Sequence, residues 1–290
     1  MAIRIDSFCY ECLLRRHVAT ARALGTEEQA TEFARRLLRA CLDAPEDTPS
    51  PVIGTVVSDL LLEMYGLPLD RFRQEKLDSN RFVLERMEDI RRKVHGAEDK
   101  VFAGLQMAIL GNYLDYGALQ DQVSFEKLDE MMDHALQMDL DRDVYDRFCA
   151  DLEKGKKLLY LTDNAGEIGF DRIFAEAIAA KYPHLEIIFC VRGGPAANDA
   201  TREDAAEVGI PFKVIDNGNT VPGTLPELLG EEAKAAFETA DVILSKGQGN
   251  VETLLGCGYN IYYAFLVKCP LFVEKFRKPK LSPMLVKERN

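Results

Sequence analysis

The chain is predicted to be an α/β protein, with a helical domain over residues 1–150 followed by a parallel-sheet domain over 151–290. Three observations predict it. Apolar residues recur at helical spacing, without strand-like alternation, as far as about residue 155. Beyond that point short apolar runs alternate with helical stretches, the pattern of βαβ units. The runs are nearly continuous rather than alternating, as expected of strands covered on both faces.

Taken in order, Ser7 is the expected N-cap of the first helix, CYECLLRRHVATARAL, with Leu13, Leu14, His17 and Val18 on one face. Residues 27–43 repeat the pattern through Phe33, Leu37, Leu38 and Cys41. Prolines make 44–51 a loop. Further helices are expected at 52–65, 70–94, 98–117 and 124–136. Strands follow at 156–162, 185–191, 211–216, 240–245 and 260–268, with helices at 166–182, 200–209 and 226–238 between them. The basic, proline-interrupted tail from Glu274 reads as a surface extension.

A net charge of -12 excludes a general nucleic-acid binder, which needs a basic face. It also means that an anionic substrate would need a local cation. No apolar run reaches the roughly 18 residues of a membrane span, and Met1–Asp6 lacks the apolar stretch of a signal peptide. Seven unevenly spaced cysteines read as reduced thiols, so a cytoplasmic location is expected.

Open α/β sheets bind ligands beyond the carboxyl ends of their strands. Three loops there are rich in small and polar residues. The first, Thr162–Glu167, offers hard oxygens at Asp163 and Asn164 that suit Mg²⁺ or Mn²⁺, with simple helix capping as the competing account. The second, Arg192–Asp199, ends in Asn198-Asp199 before a helix, where capping again competes. In the third, Lys246 offers a point charge for phosphate, and Gly247 and Gly249 bring backbone N–H groups within reach of an anion. It is neither a Walker A loop nor a dinucleotide fingerprint, since Glu252 stands where the latter needs its third glycine. Together the loops point to a divalent metal and a phosphate at one sheet edge, the requirements of phosphoryl chemistry.

In the helical part, Asn112 and Asp115 share a face, as do Lys76 and Asn80; a solvated surface is the plain account of both pairs. Cys9-x-x-Cys12 is a single pair, short of a zinc set, and His17 or Cys41 at their spacing do not complete one. His95, His134 and His184 read as surface residues.

In sequence, Cys9-x-x-Cys12, Asp70…Lys76…Asn80, Gly111-Asn112-x-x-Asp115, Asp163-Asn164-x-Gly166-Glu167, Asn198-Asp199-Ala200 and Lys246-Gly247-x-Gly249-Asn250-x-Glu252 resemble the damage-control phosphatase family, long catalogued as a domain of unknown function. The cysteine pair and length resemble its stand-alone, chiefly archaeal branch. The resemblance implies a helical domain packed on a Rossmann-like, three-layer α/β/α domain with a mostly parallel sheet. It implies a divalent metal (Mn²⁺, Ni²⁺, Co²⁺ or Mg²⁺) held by Asp163, Asn164 and Asp199, and hydrolysis of sugar phosphates or damaged phosphometabolites. Asn112 and Asp115 then form the second wall of an interdomain cleft.

The expected reaction is therefore metal-dependent hydrolysis of a small phosphomonoester. Asp163 or Glu167 serves as general base, with an aspartyl-phosphate at Asp163 as the less favoured route; Lys246, Gly247, Gly249 and Asn250 hold the phosphate; Lys76, Asn112 and Asp115 complete the substrate site. One rival is an S-adenosylmethionine-dependent methyltransferase with Asn164–Gly169 as its glycine loop, which has only two glycines and no acidic residue ending the next strand. The other is a non-enzymatic phosphometabolite sensor, which would use the same binding groups.

Overall fold

From residue 157 onward each apolar run feeds two cores at once, which is why it forms a fully covered strand. The computed structural model describes residues 3–119 and 122–288. Five parallel strands are β1 (Lys157–Leu161), β2 (Glu186–Val191), β3 (Lys213–Asp216), β4 (Val242–Lys246) and β5 (Ile261–Leu266). A sixth, β6 (Pro283–Lys287), runs antiparallel to β5, and the order across the sheet is β3-β2-β1-β4-β5-β6. Alternate residues divide between the faces: Leu158, Tyr160, Phe189 and Tyr262 enter one core, and Leu159, Leu161, Ile188 and Tyr263 the other.

The first seven helices are α1 (Ser7–Leu24), α2 (Glu27–Asp43), α3 (Ser50–Tyr65), α4 (Arg73–Gly96), α5 (Lys100–Gly111), α6 (Phe125–His134) and α7 (Arg142–Lys154). Between and after the strands lie α8 (Glu167–Lys181), α9 (Arg202–Glu207), α10 (Glu231–Thr239), α11 (Gln248–Leu254) and α12 (Pro270–Phe276). The first core joins the sheet to α8 and, beyond it, to α4–α7, from Phe82 through Leu110 and Phe148 to Leu285. The second packs α10, α11 and α12 on the opposite face, completing three layers. Helices α1–α3 have a small core of their own around Phe33, Leu37, Val57 and Leu61. They contact α11 and α12, and Ile3 N donates to Glu252 O at 2.8 Å.

The sequence reading needs correction at several places. The N-cap of α1 is Asp6, whose carboxylate accepts from Cys9 N; Ser7 is the first helical residue. Helix α5 stops at Gly111 rather than 117, because the Asn112 side chain is drawn to the sheet edge, where Leu266 N donates to its Oδ1. The expected helix at 226–238 is a single 3-10 turn followed by α10. Helices α7, α11 and α12 were not expected. The tail is not a loose extension: Leu285 is buried, Met284 and Val286 pack on the second core, and β6 covers the edge of β5.

Candidate active site

At the end of β1 the chain enters a turn in which Gly166 adopts a φ of 73°. A side chain there would strike Leu114 and Ser79, and Gly166 N donates to Asn80 Oδ1 at 2.6 Å. Gly166 is the N-cap of α8, so Asp163 and Asn164 lie outside the helix and cap nothing. Asp199 is likewise released from capping: α9 is capped by Thr201 in a box with Asp204. The loops after β1 and β2 are laced together by an antiparallel bridge between Asn164 and Asp199, and Ala200 N donates to Asp163 O at 2.7 Å. The three expected metal residues therefore stand side by side.

Beneath them lies a sealed polar network. Asn112 Nδ2 donates to Asp163 Oδ2 and Glu167 Oε2, both at 2.9 Å. Asn164 Nδ2 donates to the same two oxygens at 2.7 Å. Lys246 Nζ donates to Glu167 at 2.7 Å, Asp171 at 2.5 Å and Ala108 O at 2.9 Å. Tyr160 OH donates to Asp171 at 2.7 Å. Lys246, Glu167 and Asp171 are all fully buried. Burial pushes the Asp171 carboxyl up to about 7 against the pull of Lys246. Burial opposes the charge on Lys246, but Asp171 and Glu167 beside it keep its pKa above the ordinary lysine value.

This placement corrects two expectations. Lys246 has given all three of its donors to protein acceptors and does not reach the cleft. Glu167 is sealed by Lys246, Asn112 and Asn164, so its carboxylate meets no solvent. The glycines also serve other ends. At φ 76° Gly247 lies so close to Asp163 that a Cβ would sit 2.0 Å from Oδ2, and its N–H donates to Ala264 O. Gly249 lines the cleft, but a Cβ on it would strike Pro222 O. Asn250 is wholly buried, donating to Thr162 O and Lys246 O and accepting from Thr224. Lys76 pairs with Asp204 at 2.6 Å, where Asn80 also donates, and lines a neighbouring hollow rather than the cleft itself. Its role is to pin α4 to α9.

Two residues to which the sequence reading gave no role stand in the cleft or behind its wall. Lys268 follows β5, and its Nζ meets Asp115 Oδ2 at 2.6 Å. Glu252 lines the cleft, and burial near Asp6 and Asp115 pushes its carboxyl up to about 8. A strand ending in lysine, Leu266-Val267-Lys268, was the available signal for the first. The Cys9 and Cys12 thiols are partly buried, Cys41 is core, and all seven cysteines are free.

The cleft encloses about 650 Å³ between α1, α3 and the loops at the carboxyl ends of β1, β2 and β4. Asp115, Asp163, Asn164 and Asp199 all line it. Burial, with Asp199 and Glu167 nearby, holds the Asp163 carboxyl well above the usual carboxylate range. Burial also raises Asp199, to about 6, although Arg192 Nε donates to it at 2.6 Å. Oδ1 of Asp163, of Asn164 and of Asp199 carry no hydrogen bond among the described residues, and none is sealed from solvent. Two crowded carboxylates and an amide oxygen form a hard-oxygen set whose charge repulsion a divalent cation would relieve. Among the described residues no group of three His, Cys, Asp or Glu side chains is arranged for a metal; the third group of this set is an amide. By contrast, Gly166 and Gly169 face Ser79, Leu114 and Val83, so the glycines of the methyltransferase alternative serve helix packing.

A family model for the damage-control phosphatase ARMT1-like domain matches residues 5–282. An uncharacterised protein of Methanocaldococcus jannaschii is 32% identical over 94% of this chain and 92% of its own. A damage-control phosphatase of Pyrococcus horikoshii is 30% identical over 93% of this chain and 94% of its own. The crystal structure of a DUF89 family protein from Pyrococcus horikoshii matches with a TM-score of 0.84 at 25% identity, covering 99% of this chain and 100% of that one.

Proposed function

This chain belongs to the damage-control phosphatase ARMT1-like family, and from that premise we propose that it hydrolyses small phosphomonoesters with a divalent metal held by Asp163, Asn164 and Asp199. The observation that carries the reading is the trio of open Oδ1 atoms in one cleft. When bound, the metal supplies Lewis-acid polarisation of the phosphoryl group and a more acidic water.

The chain's own groups divide the remaining work. Asp163 offers Oδ1 to the site while two amides hold its Oδ2, which fixes the direction of the open oxygen. Of the two carboxylates expected as general base, Glu167 is enclosed, and Asp163, with Oδ2 held by two amides, has only Oδ1 to offer the site. Glu167, Lys246 and Asn112 act as positioning residues beneath it. Lys268 is buried behind the cleft wall, where its ammonium holds Asp115, so it acts as a positioning residue rather than as a replacement for Lys246. Glu252, raised to about 8, is protonated at neutral pH and suited to protonating a departing alkoxide. The cleft volume suits a substrate of sugar-phosphate size.

The test is phosphate release from an aryl phosphate and a panel of sugar phosphates, with Mn²⁺, Ni²⁺, Co²⁺ or Mg²⁺ added after chelation. Turnover is expected with metal and not without it. Asp163→Ala is expected to lose at least about a thousandfold in kcat while keeping its circular dichroism spectrum. A folded variant that works at the parent rate would remove this assignment. Binding without phosphate release under every metal would favour the sensor.

A further inference from the structure

Five arginines that are partly or fully buried, Arg36, Arg86, Arg91, Arg172 and Arg192, each lie within ion-pair distance of a carboxylate. Two others, Arg16 of α1 and Arg71 just before α4, have no such partner among the described residues. Both line the active-site cleft, as does His17, which feels the charge of both. Asp59 and Glu75 line it too, yet neither comes within ion-pair distance of either guanidinium. Arg16 Nη2 donates to Gly117 O and Nη1 approaches Cys12 Sγ, neither of them an anion, while its Nε and the Thr55 Oγ1 of the same wall are buried without any hydrogen-bond partner. Arg71 is braced only by the Ser58 hydroxyl, at 3.5 Å. Burial and the charge of Arg16 lower the pKa of Arg71, and burial with both arginines pushes His17 down to about 3. In a chain of net charge -12, two cations have been set together, partly desolvated and facing a void. Such an arrangement is unfavourable unless an anion occupies it.

We infer that Arg16 and Arg71 form a second anion subsite, so the substrate carries another anionic group, a carboxylate or a phosphate, besides the phosphoryl group that is cleaved. The planar forks of two guanidinium groups suit either oxyanion. The phosphoryl group is accounted for by the metal residues Asp163, Asn164 and Asp199, which leaves the arginine wall for the substrate's other end. The inference rests on the phosphatase reading above and narrows its substrate class.

Two matched pairs test it: fructose 6-phosphate with fructose 1,6-bisphosphate, and glucose 6-phosphate with 6-phosphogluconate. Phosphate release is measured with metal, and binding by calorimetry with a chelator present, so that binding is read apart from turnover. The member with the added anion is expected to bind about tenfold tighter in at least one pair, and which pair shows it tells phosphate from carboxylate. Arg16→Met and Arg71→Met keep the aliphatic stem and are each expected to cut that ratio several-fold, while Arg71→Lys retains most of it. Equal binding within both pairs overturns the inference. So does a loss in Arg71→Met that is the same for both members, since the arginine would then hold the shared phosphoryl group. Absence of phosphate release with a preserved binding ratio would fell the phosphatase reading and leave the subsite standing.

Discussion

Lys246 illustrates how a residue can carry a site without touching its ligand. Among the described residues its ammonium is the only cation within salt-bridge reach of two fully buried carboxylates, Glu167 and Asp171. Lys246→Met is expected to cost about 3–5 kcal/mol, because it strands both charges rather than removing a pair. Thermal melting should fall by on the order of 10 °C. A melt within about two degrees of the parent would show that the network is not needed for folding. Adding Glu167→Gln to that variant should recover part of the loss. In the sequence, Asp163, Asn164 and Asp199 were legible because the strand-end rule says where to look. Lys246 was misread because a lysine beside glycines looks the same whether its ammonium meets a phosphate or the protein interior. Only the pairing of β4 between β1 and β5 shows that its side chain runs under the site.

Helices α5 and α8 meet through glycine. A Cβ on Gly111 would lie 2.8 Å from the Phe170 ring, and one on Gly104 about as close to the backbone of Phe174. Gly111 immediately precedes Asn112, whose amide aims Asp163. Gly111→Ala is therefore expected to lower kcat by about ten- to a hundredfold through misplacement of Asn112, with the fold retained. Gly96→Ala, at the exposed end of α4 with nothing within 4 Å, is the matched control and should be silent. Steady-state kinetics on the two variants check this; equal kcat values would sever the link between helix docking and the site. The main strands and helices were legible from period and run length. The short elements were not. Helix α11 begins directly after Gly247, so its glycines read as a loop, and the lysines around β6 obscured an alternation that uses both faces.

Across the whole molecule the site couples stability to pH. Asp199, raised to about 6, binds its proton more tightly in the folded chain than in the unfolded one. Where the folded state holds more protons, stability falls as pH rises. The metal-free protein therefore loses this contribution between about pH 4, the ordinary aspartate value, and about pH 6. A divalent cation needs the ionised carboxylates and offsets their repulsion. The rise in melting temperature on adding Mn²⁺ should thus grow from pH 5 to pH 7, by several degrees at saturating metal. Differential scanning fluorimetry of the chelated and loaded protein checks it, and a metal shift that is flat across this range would contradict it. Glu252→Gln should separately stabilise the chain relative to the parent, increasingly as pH rises toward about 8, because Glu252 is also raised. None of this was readable from the net charge alone, which says nothing about which carboxylates the fold crowds together. The continuity of the core was equally hidden. Amphipathic spacing shows that α4 and α5 each have an apolar face, not that α8 and the sheet will cover it.

That shared core has a consequence for how the protein is made. Phe82, Leu105, Leu110 and Phe148 are synthesised well before α8 and the strands that bury them. On the ribosome, half a polypeptide must wait with its greasiest surfaces bare until the remainder emerges. The order of translation thus exposes this chain to chaperones and proteases for longest where, once finished, it is most tightly closed.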